Sequence, residues 1–135
     1  MALMLDASVI IAGEKGRLDI KQLMARHPDE QLELAAITIA ELWHGVERAT
    51  SAHRTGREQY LRSIISALPV IPYTEATAYI HARIWAELKT AGGMSGFYDV
   101  ILAAAALERG NTVVTFNTKH FAQIKGLAVI DPRQP

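Results

Sequence analysis

The sequence predicts an α/β fold in which a mostly parallel sheet of about five short strands carries helices on both faces. Short apolar runs such as Thr112 to Phe116, rich in β-branched residues, alternate with longer segments whose apolar residues recur every three or four positions. Strands that alternate with helices become parallel neighbours, because each crossover helix returns the chain to the same end of the sheet.

Apolar spacing assigns the elements in chain order. The strands are expected at 2–5, 34–37, 69–72, 112–116 and 127–130. The helices are expected from Asp6 to Gly13, around 20–24, over 38–49, 60–68 and 74–91, and from Val100 to Gly110. In the helix over 74–91, Ile80, Ile84 and Leu88 fall four apart, and Trp85 is placed near the inner face. The helix from Val100 is apolar all round, which indicates burial between a sheet and other helices.

Length and composition are typical of one soluble globular domain. The chain has 135 residues, of which 50% are hydrophobic and 21% are charged, and it has no cysteine. We therefore expect residues 1–135 to form a single domain, with any metal site built from oxygen or imidazole ligands. No apolar stretch reaches the roughly 18 residues of a membrane span, and Asp6 comes too early for a signal peptide. We expect no membrane association and a cytoplasmic location.

Three acidic residues border apolar segments that should belong to the core: Asp6, Glu41 and Asp99. An ionised carboxylate beside apolar packing costs free energy unless something pairs with it, and three gathered together cost more. Asp6 and Asn117 each follow a predicted strand, and Glu41 lies one helical turn past another, so these positions share the edge where parallel sheets bind ligands. Asp99 begins a helix whose N-terminus is expected at the same edge.

This set of residues predicts a metal site that acts on phosphate. Carboxylate and amide oxygens are hard ligands that suit Mg²⁺ or Mn²⁺. Magnesium keeps several waters and shares its remaining positions with substrate phosphate. A carboxylate without direct ligation could orient or deprotonate the attacking water, and mutual repulsion should raise at least one pKa in the metal-free cluster.

Each of these residues also has a structural interpretation. Glu41 could close a capping box with Thr38, and Asp99 could be the N-cap of its own helix. Asp6 or Ser8 could cap the short helix after the first strand, and Asn117 is a common turn residue. The sequence leaves these alternatives open for each residue taken alone.

Four segments in order resemble the blocks of PIN-domain ribonucleases, and in particular those of the VapC toxin group. They are MLDASVI at 4–10, ITIAELWHGV at 37–46, GFYDVILAAAAL at 96–107 and VVTFNTKHF at 113–121. The resemblance spans nearly the whole chain. It departs from the family at Met94 and Ser95, where the family often has Pro and Ile before the glycine.

The resemblance implies a PIN-like three-layer sandwich and an endoribonuclease that depends on Mg²⁺, with Mn²⁺ able to substitute. The implied metal ligands are Asp6, Glu41 and Asp99. Asn117 would stand at the fourth position, which is acidic or asparagine in the family, and we expect one well-held ion. Ser8 and Thr115 would be supporting polar groups. The family also implies a cognate antitoxin that inhibits the enzyme, and a homodimer, for which Trp43, Trp85, Tyr60 and Tyr79 could supply apolar anchors.

Net charge is zero, with 14 basic and 14 acidic residues, so binding of the RNA substrate needs a local basic patch. The candidate RNA contacts are Arg48, Arg54, Arg57 and His120. A solvated helix face with mixed charges is the alternative for the three arginines.

Two rival functions remain at this stage. One is a catalytically inert PIN-like module that binds RNA or a partner. The other is a Mg²⁺-dependent domain that accepts a phosphoryl group on aspartate. The second has little support, because Asp6 has no acidic neighbour and the segment 70–73 offers no nucleophilic aspartate.

Overall fold

The computed structural model describes residues 2–93 and 96–134, which form an α/β fold as predicted. The strands are β1 (Ala2–Leu5), β2 (Gln31–Ala35), β3 (Val70–Ile71), β4 (Thr112–Val114) and β5 (Ala128–Ile130). The helices are α1 (Ala7–Glu14), α2 (Ile20–Arg26), α3 (Ala36–Arg48), α4 (Ser51–Ala67), α5 (Glu75–Ala91), α6 (Phe97–Arg109) and α7 (Thr118–Ala122). None of the described helices has both the length and the apolar character required to cross a membrane.

The sheet has the strand order β3-β2-β1-β4-β5, and every neighbouring pair is parallel. The first strand therefore lies at the centre, with Met4 opposite Glu33 on one side and Val113 on the other. The ladder continues one step beyond β1, because the backbone N–H of Asp6 donates to the carbonyl of Val114 at 3.0 Å. This pairing places the carboxyl ends of β1 and β4 side by side.

Helices cover both faces of the sheet and give three layers. Side chains alternate across a strand, so Leu3 and Leu5 face one side and Met4 faces the other. Helices α1 to α4 pack on the Leu3 side, while α5, α6 and α7 pack on the Met4 side. In α6, every residue from Val100 to Ala106 is buried, as the sequence predicted. Gly110 ends that helix in the left-handed conformation, with φ of 68°.

α4 begins at Ser51 rather than near Tyr60, β4 ends at Val114 rather than Phe116, and α7 was not predicted. Two further predictions about elements are wrong. Trp85 is not on the inner face of α5, because Ile84 and Leu88 face the core and a residue one position after Ile84 is rotated outward; 58% of Trp85 is exposed. The second strand ends at Ala35 rather than near Ile37, so α3 begins at Ala36 and Thr38 is buried inside the helix.

A buried ion pair ties α6 to the sheet at the edge opposite the carboxyl ends of the strands. Glu33 of β2 is 2% exposed and accepts hydrogen bonds from Nε and Nη2 of Arg109, at 2.9 and 2.7 Å. Nδ2 of Asn111, which precedes β4, donates to the same carboxylate at 2.7 Å. The buried carboxylate is therefore well supplied with donors, although the side chain of Arg109 is 42% exposed.

Candidate active site

Asp6 lies directly after β1 and is buried, with 4% exposure. Its Oδ1 accepts the backbone N–H of Ala7 at 2.8 Å, so the capping role is part of its structure. Its Oδ2 accepts two hydroxyl groups, from Ser8 at 2.9 Å and from Thr115 at 2.7 Å. A cap alone would not need a donor from the residue that follows β4, so these bonds fix the carboxylate in one orientation at the edge of the sheet.

Thr115 and Ser8 join the ends of β1 and β4. The hydroxyl of Thr115, which is fully buried, donates to Asp6 and accepts the backbone N–H of Asn117 at 2.9 Å. The hydroxyl of Ser8 also accepts the backbone N–H of Phe116, at 3.4 Å. Asn117 itself is exposed and precedes α7 without a side-chain capping bond. The two hydroxyl groups therefore position the backbone that carries Asn117.

Glu41 lies within α3 and is partly buried. The capping-box interpretation is wrong, because the N-cap of α3 is Ala35 and has no side-chain capping bond. Burial raises the pKa of Glu41 to about 7, and the nearby charges of Asp6 and Asp99 add to the increase. The side chain thus belongs to the same electrostatic cluster as the other two carboxylates.

Asp99 lies in the first turn of α6, and Gly96 rather than Asp99 is the N-cap. Burial raises the pKa of Asp99, and the charge of Asp6 raises it further. His120 of α7 opposes that shift, since its Nδ1 lies 3.6 Å from Oδ2 of Asp99. His120, predicted as an RNA contact, therefore stands beside the acidic cluster with 56% of its side chain exposed.

The predicted basic patch is partly neutralised by acidic neighbours. Arg54 pairs with Glu47 at 2.6 Å. Nε of Arg57 lies 3.5 Å from Oε2 of Glu14, and its Nη1 donates to the carbonyl of Gly45 at 3.2 Å. Arg48 is exposed at the end of α3. Arg54 and Arg57 therefore lie on a helix surface of mixed charge, which was the alternative to an RNA-binding patch.

A groove of about 200 Å³ runs from Glu41 between α1, α3 and α4. Apolar side chains, including Ile11, Leu42 and Leu61, line it together with Glu14 and Arg57. Glu14 was not among the predicted site residues. No local signal could have identified it, because its position beside Arg57 depends on the packing of α1 against α4.

Comparison with known proteins agrees with this geometry. The PIN domain family model matches residues 3–127. Ribonuclease VapC1 of Rickettsia felis is 30% identical over 131 residues, which is 96% of each chain. The chain belongs to the PIN-domain family, in its VapC group.

A second VapC sequence and a solved VapBC structure extend the comparison. The tRNA(fMet)-specific endonuclease VapC of Salmonella typhimurium is 34% identical over 98 residues, which is 73% of each chain. The structure of DNA-bound VapBC from Salmonella typhimurium superposes with a TM-score of 0.88 at 28% identity and covers 98% of each chain. These matches confirm the family and the PIN-like fold. Met94 and Ser95, where this VapC-group chain departs from the PIN block, lie outside the described residues.

The carboxylate cluster of this VapC-group chain suits a hydrated divalent ion. Within residues 2–93 and 96–134, no three carboxylate or imidazole side chains stand close enough together to enclose a metal ion. The donor set is nevertheless carboxylate oxygen, and burial followed by the charge of Asp6 raises the pKa of both Glu41 and Asp99, an effect that a bound cation would oppose. Mg²⁺ is commonly held by one or two carboxylates while it keeps several waters, so the residues fit such an ion.

The burial of Glu41 beside two other carboxylates gives a prediction about stability. The folded state raises the pKa of Glu41 from 4.5 to about 7, so the wild type loses stability as pH rises through that interval. Glu41→Gln mimics the protonated acid and should raise the free energy of unfolding of the metal-free protein by about 1–2 kcal/mol above pH 7. The expected gain is smaller than the full pKa shift implies, because solvent reaches the partly buried Glu41 and screens its charge. Below pH 4.5 the gain should vanish.

Urea unfolding at the two pH values measures this effect. Glu87→Gln, which removes an exposed carboxylate 3.6 Å from Nε of Arg83, is the control and should change stability by less than about 0.5 kcal/mol. Saturating Mg²⁺ should stabilise the wild type more than Glu41→Gln. If Glu41→Gln is more stable than the wild type by the same amount at both pH values, the charge of Glu41 is not the cause of the gain.

Proposed function

We propose that this chain is the toxin of a toxin–antitoxin pair and hydrolyses phosphodiester bonds within RNA, with Mg²⁺ as cofactor and Mn²⁺ as a substitute. One observation carries the proposal. Asp6 after β1, Glu41 of α3 and Asp99 of α6 lie near enough at the carboxyl edge of the sheet for the charge of Asp6 to raise the pKa of both other carboxylates. The ribonuclease names of the VapC relatives support the assignment of RNA as substrate.

The residues at this edge divide into ligands and supporting groups. Asp6, Glu41 and Asp99 would hold the ion, and the hydroxyls of Ser8 and Thr115 keep Asp6 oriented. A bound Mg²⁺ supplies positive charge that stabilises the phosphorane-like transition state and acidifies water. Glu41 would orient or deprotonate the attacking water if it contacts the ion only through a water molecule. Asn117 and His120 stand where they can contact the RNA backbone.

Two macromolecular partners belong to the proposal. Solved relatives are VapBC complexes, and we infer that an antitoxin also inhibits this chain. The groove of about 200 Å³ beside Glu41 suits an apolar segment that ends in a cationic side chain. A second copy is the other partner, because Tyr79, Trp85 and Phe97 expose 68%, 58% and 67% of their surface on α5 and α6. Trp43 and Tyr60, by contrast, are partly buried against the core formed by α1 to α4.

The test is cleavage of RNA by the purified protein with Mg²⁺, with Mn²⁺ and with a chelator. We expect internal cuts with either metal and none with the chelator. Cleavage that persists with the chelator would contradict the proposed metal dependence. RNA that is bound but stays intact with both metals would instead favour the inert binding module.

A further inference from the structure

A cavity of about 480 Å³ lies beside α1 and shares the side chain of Ile11 with the groove at Glu41. Its lining combines an apolar floor, an aromatic ring, a hydroxyl and two guanidinium groups, from Ile11, Ala12, Phe116, Ser8, Arg17 and Arg133. The volume is within the range of about 300–1,000 Å³ typical of ligand pockets. The two cationic side chains make it a candidate site for an anionic ligand.

The cavity adjoins the acidic cluster. Ser8 lines it and donates its hydroxyl hydrogen to Oδ2 of Asp6 at 2.9 Å. Phe116, which also lines it, lies between Thr115 and Asn117 in the chain. A polymer with a phosphate at the acidic cluster could therefore place a neighbouring unit in this cavity.

Arg133 is held in place by the residues around it. Asp131 accepts hydrogen bonds from its backbone N–H, Nε and Nη2, at 2.8, 2.9 and 2.5 Å. The guanidinium carbon of Arg133 lies 5.0 Å from the centre of the Phe116 ring. In the preceding residue, the carbonyl of Pro132 accepts a hydrogen bond from Nη2 of Arg26 at 2.7 Å. An arginine has five N–H donors, so the bonds to Asp131 leave several for a ligand. The side chain is 67% exposed and already oriented.

Arg17 supplies the second charge. It follows Gly16, which has φ of 73°, and its backbone N–H donates to the carbonyl of Ala12 at 2.8 Å. Within the described part of the chain, its exposed side chain has neither an ion pair nor a hydrogen bond. Asp131 compensates the guanidinium charge of Arg133, and none of the described residues that line the cavity is acidic.

We propose that Arg17 and Arg133 form a subsite for a phosphodiester of the RNA strand next to the bond that is cleaved. The proposal rests on the proposed ribonuclease function and extends it. Guanidinium groups bind phosphate through paired N–H donors, and the aromatic and apolar lining suits the attached nucleoside. Arg133 lies beyond residues 3–127, which the PIN family model matches, so the subsite depends on a part of this chain outside that model.

The experiment measures the affinity of the full chain for a fluorescently labelled single-stranded RNA, in chelator and at several salt concentrations. Arg17→Ala combined with Arg133→Ala should weaken binding about tenfold and reduce the magnitude of the slope of log affinity against log salt by about 0.7, the value for one phosphate of a single strand. Arg83→Ala is the matched control, because Arg83 is exposed on α5, at the opposite face of the sheet, and should leave both quantities unchanged. Arg17→Lys with Arg133→Lys should retain much of the salt slope but less of the affinity.

The outcomes separate the subsite from the catalytic proposal. Metal-dependent cleavage by the wild type, together with unchanged affinity and slope in the double variant, would overturn the subsite and leave the nuclease intact. Weaker RNA binding by the double variant, together with no cleavage by the wild type under any metal condition, would support the subsite and contradict the proposed nuclease activity. Absence of measurable wild-type binding would also overturn the subsite. If Arg133→Ala unfolds, the affinity and its salt dependence are measured instead for Arg17→Ala and for Arg133→Lys.

Discussion

Replacing Asp99 with asparagine should lower the rate of Mg²⁺-dependent RNA cleavage by about a hundredfold or more. The substitution keeps the shape of the side chain and removes one of the three negative charges proposed to hold the ion. The fold should remain, because the raised pKa of Asp99 shows that its charge is unfavourable in the metal-free protein. Single-turnover cleavage of a defined RNA measures the rate, and thermal unfolding in chelator checks the fold.

Asp29→Asn is the matched control for this prediction. Asp29 is exposed in the connection between α2 and β2, remote in sequence from the acidic edge, and its replacement should leave the cleavage rate within about twofold of the wild type. Full cleavage by Asp99→Asn, purified in the same way, would place the activity at another site or in a contaminating nuclease.

Replacing Arg109 with alanine should lower the free energy of unfolding by about 3 kcal/mol. The change removes two charge-assisted hydrogen bonds from Glu33, a carboxylate that is only 2% exposed. Asn111 would remain as a donor, but a neutral amide does not balance the buried charge. The outer face of Arg109 is 42% exposed, and water entering the vacated space keeps the loss at the lower end of the usual range. Urea unfolding measures the loss.

A double variant separates the buried charge from simple loss of packing. Adding Glu33→Gln to Arg109→Ala should recover most of the lost stability, because no buried charge is then left without a partner. Arg83→Ala removes an exposed helical pair and should cost less than about 0.5 kcal/mol. Equal losses in the single and double variants would mean that packing of the arginine stem, not charge, stabilises this edge.

The central elements of the fold could be predicted from the sequence because their signals are local. A short apolar run identified β1, a β-branched run identified β4, and a segment that is apolar all round identified α6. Asp6 and Thr115 follow strands that pair in parallel, so their proximity follows from topology. Glu41 was harder, since a capping box and a site residue look alike in sequence. The end of β2 at Ala35 places Thr38 inside α3 and excludes the cap.

Contacts between distant segments could not be predicted in this way. Trp85 was placed on the inner face of α5, and only the rotation set by Ile84 and Leu88 shows that it faces outward. The sequence gives Arg57 no obvious partner, but the fold brings its guanidinium close to the carboxylate of Glu14. Arg133 had no pattern of its own, because its position over Phe116 depends on the path of the chain after β5. Each of these features depends on tertiary packing that periodicity does not encode.

The enclosure of α6 has an evolutionary consequence. Asp99 stands at one end of this helix and Arg109 at the other, with tightly packed alanines between them. Adding even a methyl group at Ala103 or Ala104 would push the helix away from the sheet and carry the reactive carboxylate with it. Sequence drift in the interior of this protein is therefore constrained by the chemistry at its surface as well as by the need to fold.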